Sequence, residues 1–302
     1  MFSRATPRRA VLAMALAAAA VFWPAAASAQ EENAENARGK LSLSASFGKD
    51  IKTSPTGLVW RIFQERARPD GGHDLVTESH ENNPLIDLPH GNYIVHASWG
   101  LAGAARRVAL FGEQSSQQIE IRAGSFSVTA LIGDRPAPAH RISISVYVPE
   151  HNNPEAKLVA RGLRGEEILR LPEGSYHIVS TFLDGGRPGA GETEAGQPTN
   201  SVVAADVRIE SGKITVATLR HRAALLTLKL VNAPGSEALA NTSFTILTPG
   251  GDVIRELIGA FPSLILAEGE YVAIARNDGR TFQSTFRVES GRDRDVEILV
   301  KK

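Results

Sequence analysis

The chain has 302 residues, with 33 Lys and Arg against 33 Asp and Glu, 42% apolar residues and no cysteine. Without cysteine there is no disulfide framework, and no lipid-modified cysteine behind a leader. Without an excess of positive charge, nucleic acid and anionic membrane surfaces are poor partners.

Residues 1–29 read as a cleaved signal peptide. Arg4, Arg8 and Arg9 make a basic start, Ala10 to Trp23 is an uncharged apolar run, Pro24 breaks it, and Ala27-Ser28-Ala29 is an A-x-A cleavage site. The run is too short and wrongly flanked for a stable membrane span. Arg8-Arg9 before Ala10-Val11-Leu12 resembles part of a twin-arginine export signal, from which Pro7 and Val11 depart. Cleavage after Ala29 leaves 273 residues carrying 30 basic and 33 acidic side chains. No second long apolar run follows, so no transmembrane segment is expected in the mature chain, and the protein is expected in the periplasm or secreted. Residues 30–39 are polar and aperiodic, which predicts a mobile tether.

Residues 40–123 form a first module. Leu41 to Ala45 alternates as a half-buried strand does. In the second strand Leu58, Trp60 and Ile62 share one face, and Pro69-Asp70-Gly71-Gly72 marks a turn. The phrase Leu88-Pro89-His90-Gly91-Asn92-Tyr93 follows, and it leads into a strand with Tyr93, Val95, Ala97 and Trp99 on one face.

Residues 124–222 repeat the plan. Phe126 to Leu131 opens the second module and Arg141 to Val148 follows, and the phrase returns as Leu171-Pro172-Glu173-Gly174-Ser175-Tyr176. Residues 223–302 repeat it again, opening at Leu226 to Leu230, with the phrase as Leu266-Ala267-Glu268-Gly269-Glu270-Tyr271. Three of the four tyrosines end a phrase, which makes the chain three copies of one β-rich unit. From the phrase tyrosine to Gly112, Gly212 and Gly291 is 19, 36 and 20 residues. The excess in the second copy coincides with residues 184–200, a glycine-rich insertion into a hairpin. Leu of the phrase is expected at a buried strand end. Gly would supply a backbone angle forbidden to other residues, and Tyr would enter the core with its hydroxyl at the rim. Short alternating strands with regular turn signals predict an all-β chain of three tandem antiparallel β-sandwiches. The module junctions near Gly124 and Ala223 are short, which restricts hinging.

Leu-Pro-x-Gly-x-Tyr at the entrance to a core strand resembles the carboxypeptidase regulatory-like and collagen-adhesin B-type modules. The resemblance implies prealbumin-like, Ig-like seven-stranded sandwiches, which serve as tandem spacers or binding modules in exported proteins. The third copy departs at Ala267, where the family has Pro. Some adhesin modules carry a Lys–Asn crosslink between first and last strand. Lys229 is placed for it, but Val296 to Val300 holds no Asn, so no crosslink is expected.

Candidate chemistry is sparse. His73, His80, His90 and His96 cluster in the first module beside acidic residues and are the candidate metal ligands, although their spacings match no ligand pattern. Trp60 and Trp99, if exposed together, would stack on a sugar ring, but their aliphatic strand neighbours favour the core. Gly189 and Gly191 sit in the insertion as a partner-contact loop, without the residues that complete a phosphate-binding fingerprint. Arg220-His221-Arg222 reads as a solvated linker or a basic contact patch. There is no cysteine and no Gly-x-Ser-x-Gly, and the acidic pair Glu166-Glu167 would point to opposite faces of a strand, so catalysis lacks residues and no cofactor is implied. The leading reading is a non-catalytic envelope protein acting as a structural or interaction module, with an envelope protein or polysaccharide as partner. The alternatives are a polysaccharide- or peptidoglycan-binding protein using the first module, and a periplasmic metal-binding protein.

Overall fold

A computed structural model describes residues 37–48, 56–185 and 198–300. The expected signal peptide, most of the expected tether, and Gly189 and Gly191 lie outside these residues. The described chain is all β, apart from one three-residue 3-10 turn at Ala139–Arg141. No helix among the described residues is long and apolar enough to cross a membrane.

The strands fall into three sets. The first is β1 Arg38–Ser46, β2 Leu58–Ala67, β3 His73–Ser79, β4 Leu85–Pro89, β5 Gly91–Trp99, β6 Ala102–Leu110 and β7 Gln114–Glu120. The second is β8 Ala123–Ile132, the two-residue β9 Arg135–Pro136, β10 Ile142–Glu150, β11 Asn153–Leu163, β12 Leu169–Pro172, β13 Gly174–Leu183, β14 Pro198–Ile209 and β15 Ile214–His221. The third is β16 Ala223–Val231, β17 Ser243–Leu247, β18 Val253–Ile258, β19 Ser263–Ala267, β20 Gly269–Asn277, β21 Arg280–Val288 and β22 Arg294–Leu299. β1 begins at Arg38, inside the stretch read as tether, because Arg38 and Gly39 pair with Pro89 and Leu88 of β4.

Each set folds into two sheets. The first set gives β4-β1-β7 and β3-β2-β5-β6, the second β12-β8-β15 and β11-β10-β13-β14, the third β19-β16-β22 and β18-β17-β20-β21. Pairing is antiparallel with one exception per set. The first and last strands run parallel, as β1 with β7, β8 with β15, and β16 with β22. Alternation in sequence fixes which face is buried but not which way a neighbour runs, so this feature is invisible until the chain closes.

The inner faces meet in three apolar clusters. In the first, Leu41 and Leu43 of one sheet meet Leu58, Trp60, Ile62 and Val95 of the other, the faces that strand alternation assigns. The turn at Pro69 to Gly72 is closed by Arg68 N donating to Gly72 O at 2.7 Å. Only Arg122 stands between Ile121, fully buried in the first cluster, and β8, and only Arg222 stands between β15 and β16.

Candidate functional site

The repeated phrase is a joint in structure as well as in sequence. In all three copies the tyrosine hydroxyl donates back to the carbonyl four residues earlier: Tyr93 to Pro89 at 2.7 Å, Tyr176 to Pro172 at 2.9 Å, Tyr271 to Ala267 at 2.8 Å. Burial pushes all three phenols above their ordinary pKa. The third phrase residue donates its N–H to the residue ahead of the opening strand: His90 to Ala37, Glu173 to Arg122, Glu268 to Arg222, at 2.8–2.9 Å. The last two acceptors are the inter-sandwich links, so each phrase grips the point where its sandwich joins the one before.

The glycine does not supply the backbone angle expected of it. Gly91 and Gly174 do not take positive φ, and Gly269 at +159° is almost fully extended. Instead the tyrosine ring folds back over the glycine on its way to the carbonyl. A Cβ on Gly91 or Gly269 would sit 3.6 Å from that ring, an ordinary van der Waals distance, so the ring packs on the glycine without sterically requiring it.

The residue just before the phrase leucine makes the contact between neighbours. In the second sandwich this is Arg170 on β12. Its guanidinium lies 5.1 Å above the Trp99 ring, and its carbonyl accepts Leu101 N–H at 3.0 Å. Trp99 also packs edge-on against Phe47 at 4.7 Å and donates Nε1–H to Thr56 O at 3.0 Å. Trp60 is fully buried and donates to Glu81 O at 3.0 Å. Neither indole offers a free face to a sugar. The alternation that placed them among aliphatic neighbours decides the matter.

In the third sandwich the same position is Ile265 on β19. Its side chain leaves its own sandwich and is buried in the apolar cluster of the second, together with Ala223. Leu264 and Leu266 on either side face the third core. Polar contacts surround this plug. Asn200 on β14 accepts Ala267 N–H on Oδ1 at 2.8 Å and donates Nδ2–H to Tyr271 Oη at 2.9 Å. Ile265 N–H donates to the Asp184 carboxylate at 3.4 Å, Arg255 donates to Pro198 O at 2.8 Å, and Arg222 forms a forked pair with Glu268 at 2.9 and 3.0 Å. Burial pushes the Asp184 carboxyl up, partly opposed by Ile265 N–H, Arg255 and Arg141. The Asn200 contact explains the drift at Ala267. Proline there has no N–H to give, whereas alanine supplies the donor that Asn200 takes. A cleft of about 780 Å³ opens beside this joint, with Val202 and Ala204 on one wall and Glu268, Glu270 and Arg287 on the other.

Arg220-His221-Arg222 is not a solvated linker. His221 is fully buried, because at the last position of β15 it points between the sheets while its arginine neighbours point out, Arg220 to Asp134 and Arg222 to Glu268. Its Nε2 lies 2.9 Å from Ser180 Oγ and its Nδ1 3.0 Å from Ser201 Oγ, and its ring lies 5.8 Å from that of Phe182. A serine beside an imidazole suggests a nucleophile and base. Here Ser180 and His221 are shut in the core and no carboxylate orients the ring, so no substrate carbonyl can reach Ser180.

The four histidines of the first sandwich have separate surroundings. His73 contacts Gln64 O at 3.0 Å, His80 pairs with Glu78 at 3.0 Å, and His90 lies edge-on to Phe111. His96 is half-buried on the outer face of β5, where burial and then Arg61 hold its pKa down. Among the described residues no three His, Asp or Glu side chains gather to hold a metal ion. Lys229 points outward, towards Asp295 and over the Phe261 ring at 5.6 Å.

The Rhizobiales growth-associated tandem repeat domain family matches residues 225–300, the span of the third sandwich. No curated protein matches the chain. Among solved structures, the Bacillus anthracis TIE protein is 17% identical with a TM-score of 0.26, over 87% of this chain and 51% of that one. The Streptococcal ancillary pilin is 10% identical with a TM-score of 0.30, over 88% of this chain and 99% of that one. A cell adhesion protein from Bacteroides ovatus is 12% identical with a TM-score of 0.33, over 58% of this chain and 91% of that one. The chain thus spans about half the length of the first of these, and the sandwich fold stands on the strand pairing itself.

Proposed function

We propose that this chain is a non-catalytic exported protein of the bacterial envelope, working as a structural or interaction module. One observation carries the reading: among the described residues, the polar side chains at the joints of the second and third sandwiches tie strands and sandwiches to one another, and the buried Ser180–His221–Ser201 set is shut away from any substrate. Asn200, Asp184 and the phrase tyrosines all hydrogen-bond across a joint or a turn. Side chains used in this way make a chain that holds its parts in fixed relation, which suits a spacer or scaffold. The signal-peptide features of residues 1–29 support export. The family matching residues 225–300 is described as a growth-associated tandem repeat domain, which fits a module built from repeated sandwiches. The seven-strand plan and the phrase support carboxypeptidase regulatory-like modules at 40–123, 124–222 and 223–302.

The test is fractionation of cells carrying a C-terminally tagged chain, followed by assay of the purified protein. The expected outcome is a product shortened to start near Gln30, recovered from the envelope or medium, that leaves peptidoglycan, glycans and peptides intact. Recovery from the cytoplasm at full length, or robust turnover of an envelope polymer, overturns the proposal.

A further inference from the structure

The Ser180–His221–Ser201 network stands where the first sandwich has only hydrocarbon. Four residues past the phrase tyrosine the copies carry Ala97, Ser180 and Ala275. Nine residues past Gly112, Gly212 and Gly291 they carry Ile121, His221 and Val300. Val203 pairs with Ser180 as Ala104 pairs with Ala97, and two residues before these partners stand Ser201 and Ala102. An Ala–Ala–Ile corner in the first core is therefore a Ser–Ser–His corner in the second, changed at three places far apart in sequence and adjacent in space. Both serines and the histidine are buried.

The neutral ring is fully satisfied, since one nitrogen donates and the other accepts, each to a hydroxyl. The charged ring is not. The charged and titratable groups on the surrounding elements are Asp134 and Arg135 beside β8 and β9, Arg141 before β10, Asp184 at the end of β13, Arg220 and Arg222 flanking the histidine, and Arg255 on β18. None forms an ion pair with His221, and most are cationic. Burial accordingly holds the imidazole below its ordinary pKa, with the Ser201 contact opposing. The network also touches the second joint. Ser201 follows Asn200, and Phe182, whose ring lies 5.8 Å from that of His221, shares the second apolar cluster with Ala223 and Ile265.

We propose that this network makes the second sandwich the acid-sensitive link of the chain: protonating His221 puts an uncompensated charge in its core and loosens its hold on the third. Above about pH 6.5 the imidazole is neutral folded and unfolded alike, and stability is complete. As pH falls below that, the unfolded chain takes up a proton that the folded one refuses, and stability falls until the lower folded-state titration is reached. Asp184 acts in the opposite sense, because its folded form holds its proton more tightly than the unfolded chain does.

The experiment compares the mature protein with the variant Ser180→Ala/Ser201→Ala/His221→Ile, which installs the first sandwich's corner at nearly equal volume and keeps Asp184 in both. Hydrogen-exchange protection factors, which divide out the intrinsic pH dependence of exchange, are measured between pH 7.5 and 5.5. In wild type, protection of β13 to β16 should fall roughly tenfold, and by less in β1 to β7, where the half-buried His96 acts in the same sense but only at the outer face. In the triple variant the two regions should respond alike. Equal loss in wild type and variant overturns the proposal. Imidazole ¹⁵N shifts of the wild-type protein give an answer independent of the variant's folding. His221 should titrate below the ordinary imidazole pKa of about 6.5, and titration at or above that value overturns the proposal.

Discussion

The two joints place different chemistry at one strand position. At the first, Arg170 is a polar cover lying over the Trp99 ring, and of the second sandwich only the small Ala123 enters the first core. At the second, Ile265 is an apolar plug that makes one sandwich complete the core of the other, and Asn200 and the Arg222–Glu268 pair hold it in place. The first sandwich, with no sandwich described before it, carries Asp87 at this position, ion-paired to Arg38 in its own β1 at 2.6 Å. The repeated residues thus set the turn, and the variable residue just before them sets how tightly a neighbour is held. A plug removes apolar area from water, while a guanidinium over a ring contributes far less.

The sharpest way to break this contrast is Ile265→Ala. It opens a cavity in the second core from the third sandwich, and should cost about 2–5 kcal/mol in denaturant unfolding. It should also separate the calorimetric transitions of the second and third sandwiches. Next comes Ala267→Pro, which restores the phrase. The backbone already tolerates proline at Pro89 and Pro172, so the expected loss of about 1–3 kcal/mol comes from the missing N–H and the unpaired Asn200 Oδ1. In an Asn200→Ala background the same change should cost far less, and an additive pair of effects would show that the two residues do not act through one bond. Arg170→Ala is the smallest. It should cost about 0.5–1 kcal/mol and shift tryptophan emission to the red as Trp99 gains water, with the Trp60 contribution unmoved. If Arg170→Ala proved as costly as Ile265→Ala, the distinction between cover and plug would fail.

Much of the fold is legible in the residues. The phrase marks a turn before a core strand, alternation places Trp60, Val95 and Ile144 inside, and the spacing to Gly212 reveals the insertion. What escapes is the interplay between copies. Ala267 reads as drift until Asn200 is seen against it, 67 residues away. His221 reads as linker because two arginines flank it, although a strand buries alternate residues whatever their neighbours. The signal that would find it is alignment of the copies to one another, which sets His221 against Ile121 and Ser180 against two alanines. Ile265 escapes because a residue buried on the far side of a strand looks like any other member of an apolar run.

The parallel pairing of first and last strands has a mechanical consequence. Tension along the chain enters each sandwich where its first strand begins and leaves where its last strand ends. Because the two run side by side in the same direction, over Lys40 to Ser46 against Gln114 to Glu120 in the first sandwich, those points lie at opposite ends of the pair. A pull therefore slides the strands past each other and loads their hydrogen bonds together, instead of unzipping them one by one. With Arg122 and Arg222 as the links, the load passes from strand to strand with almost no slack. Resistance to such a pull is set by the unfolding rate and not by equilibrium stability. A chain built in this way bears stress in proportion to its paired length, and β8 with β15, from Ser125 to Ile132 against Ile214 to His221, is the longest of the three pairs.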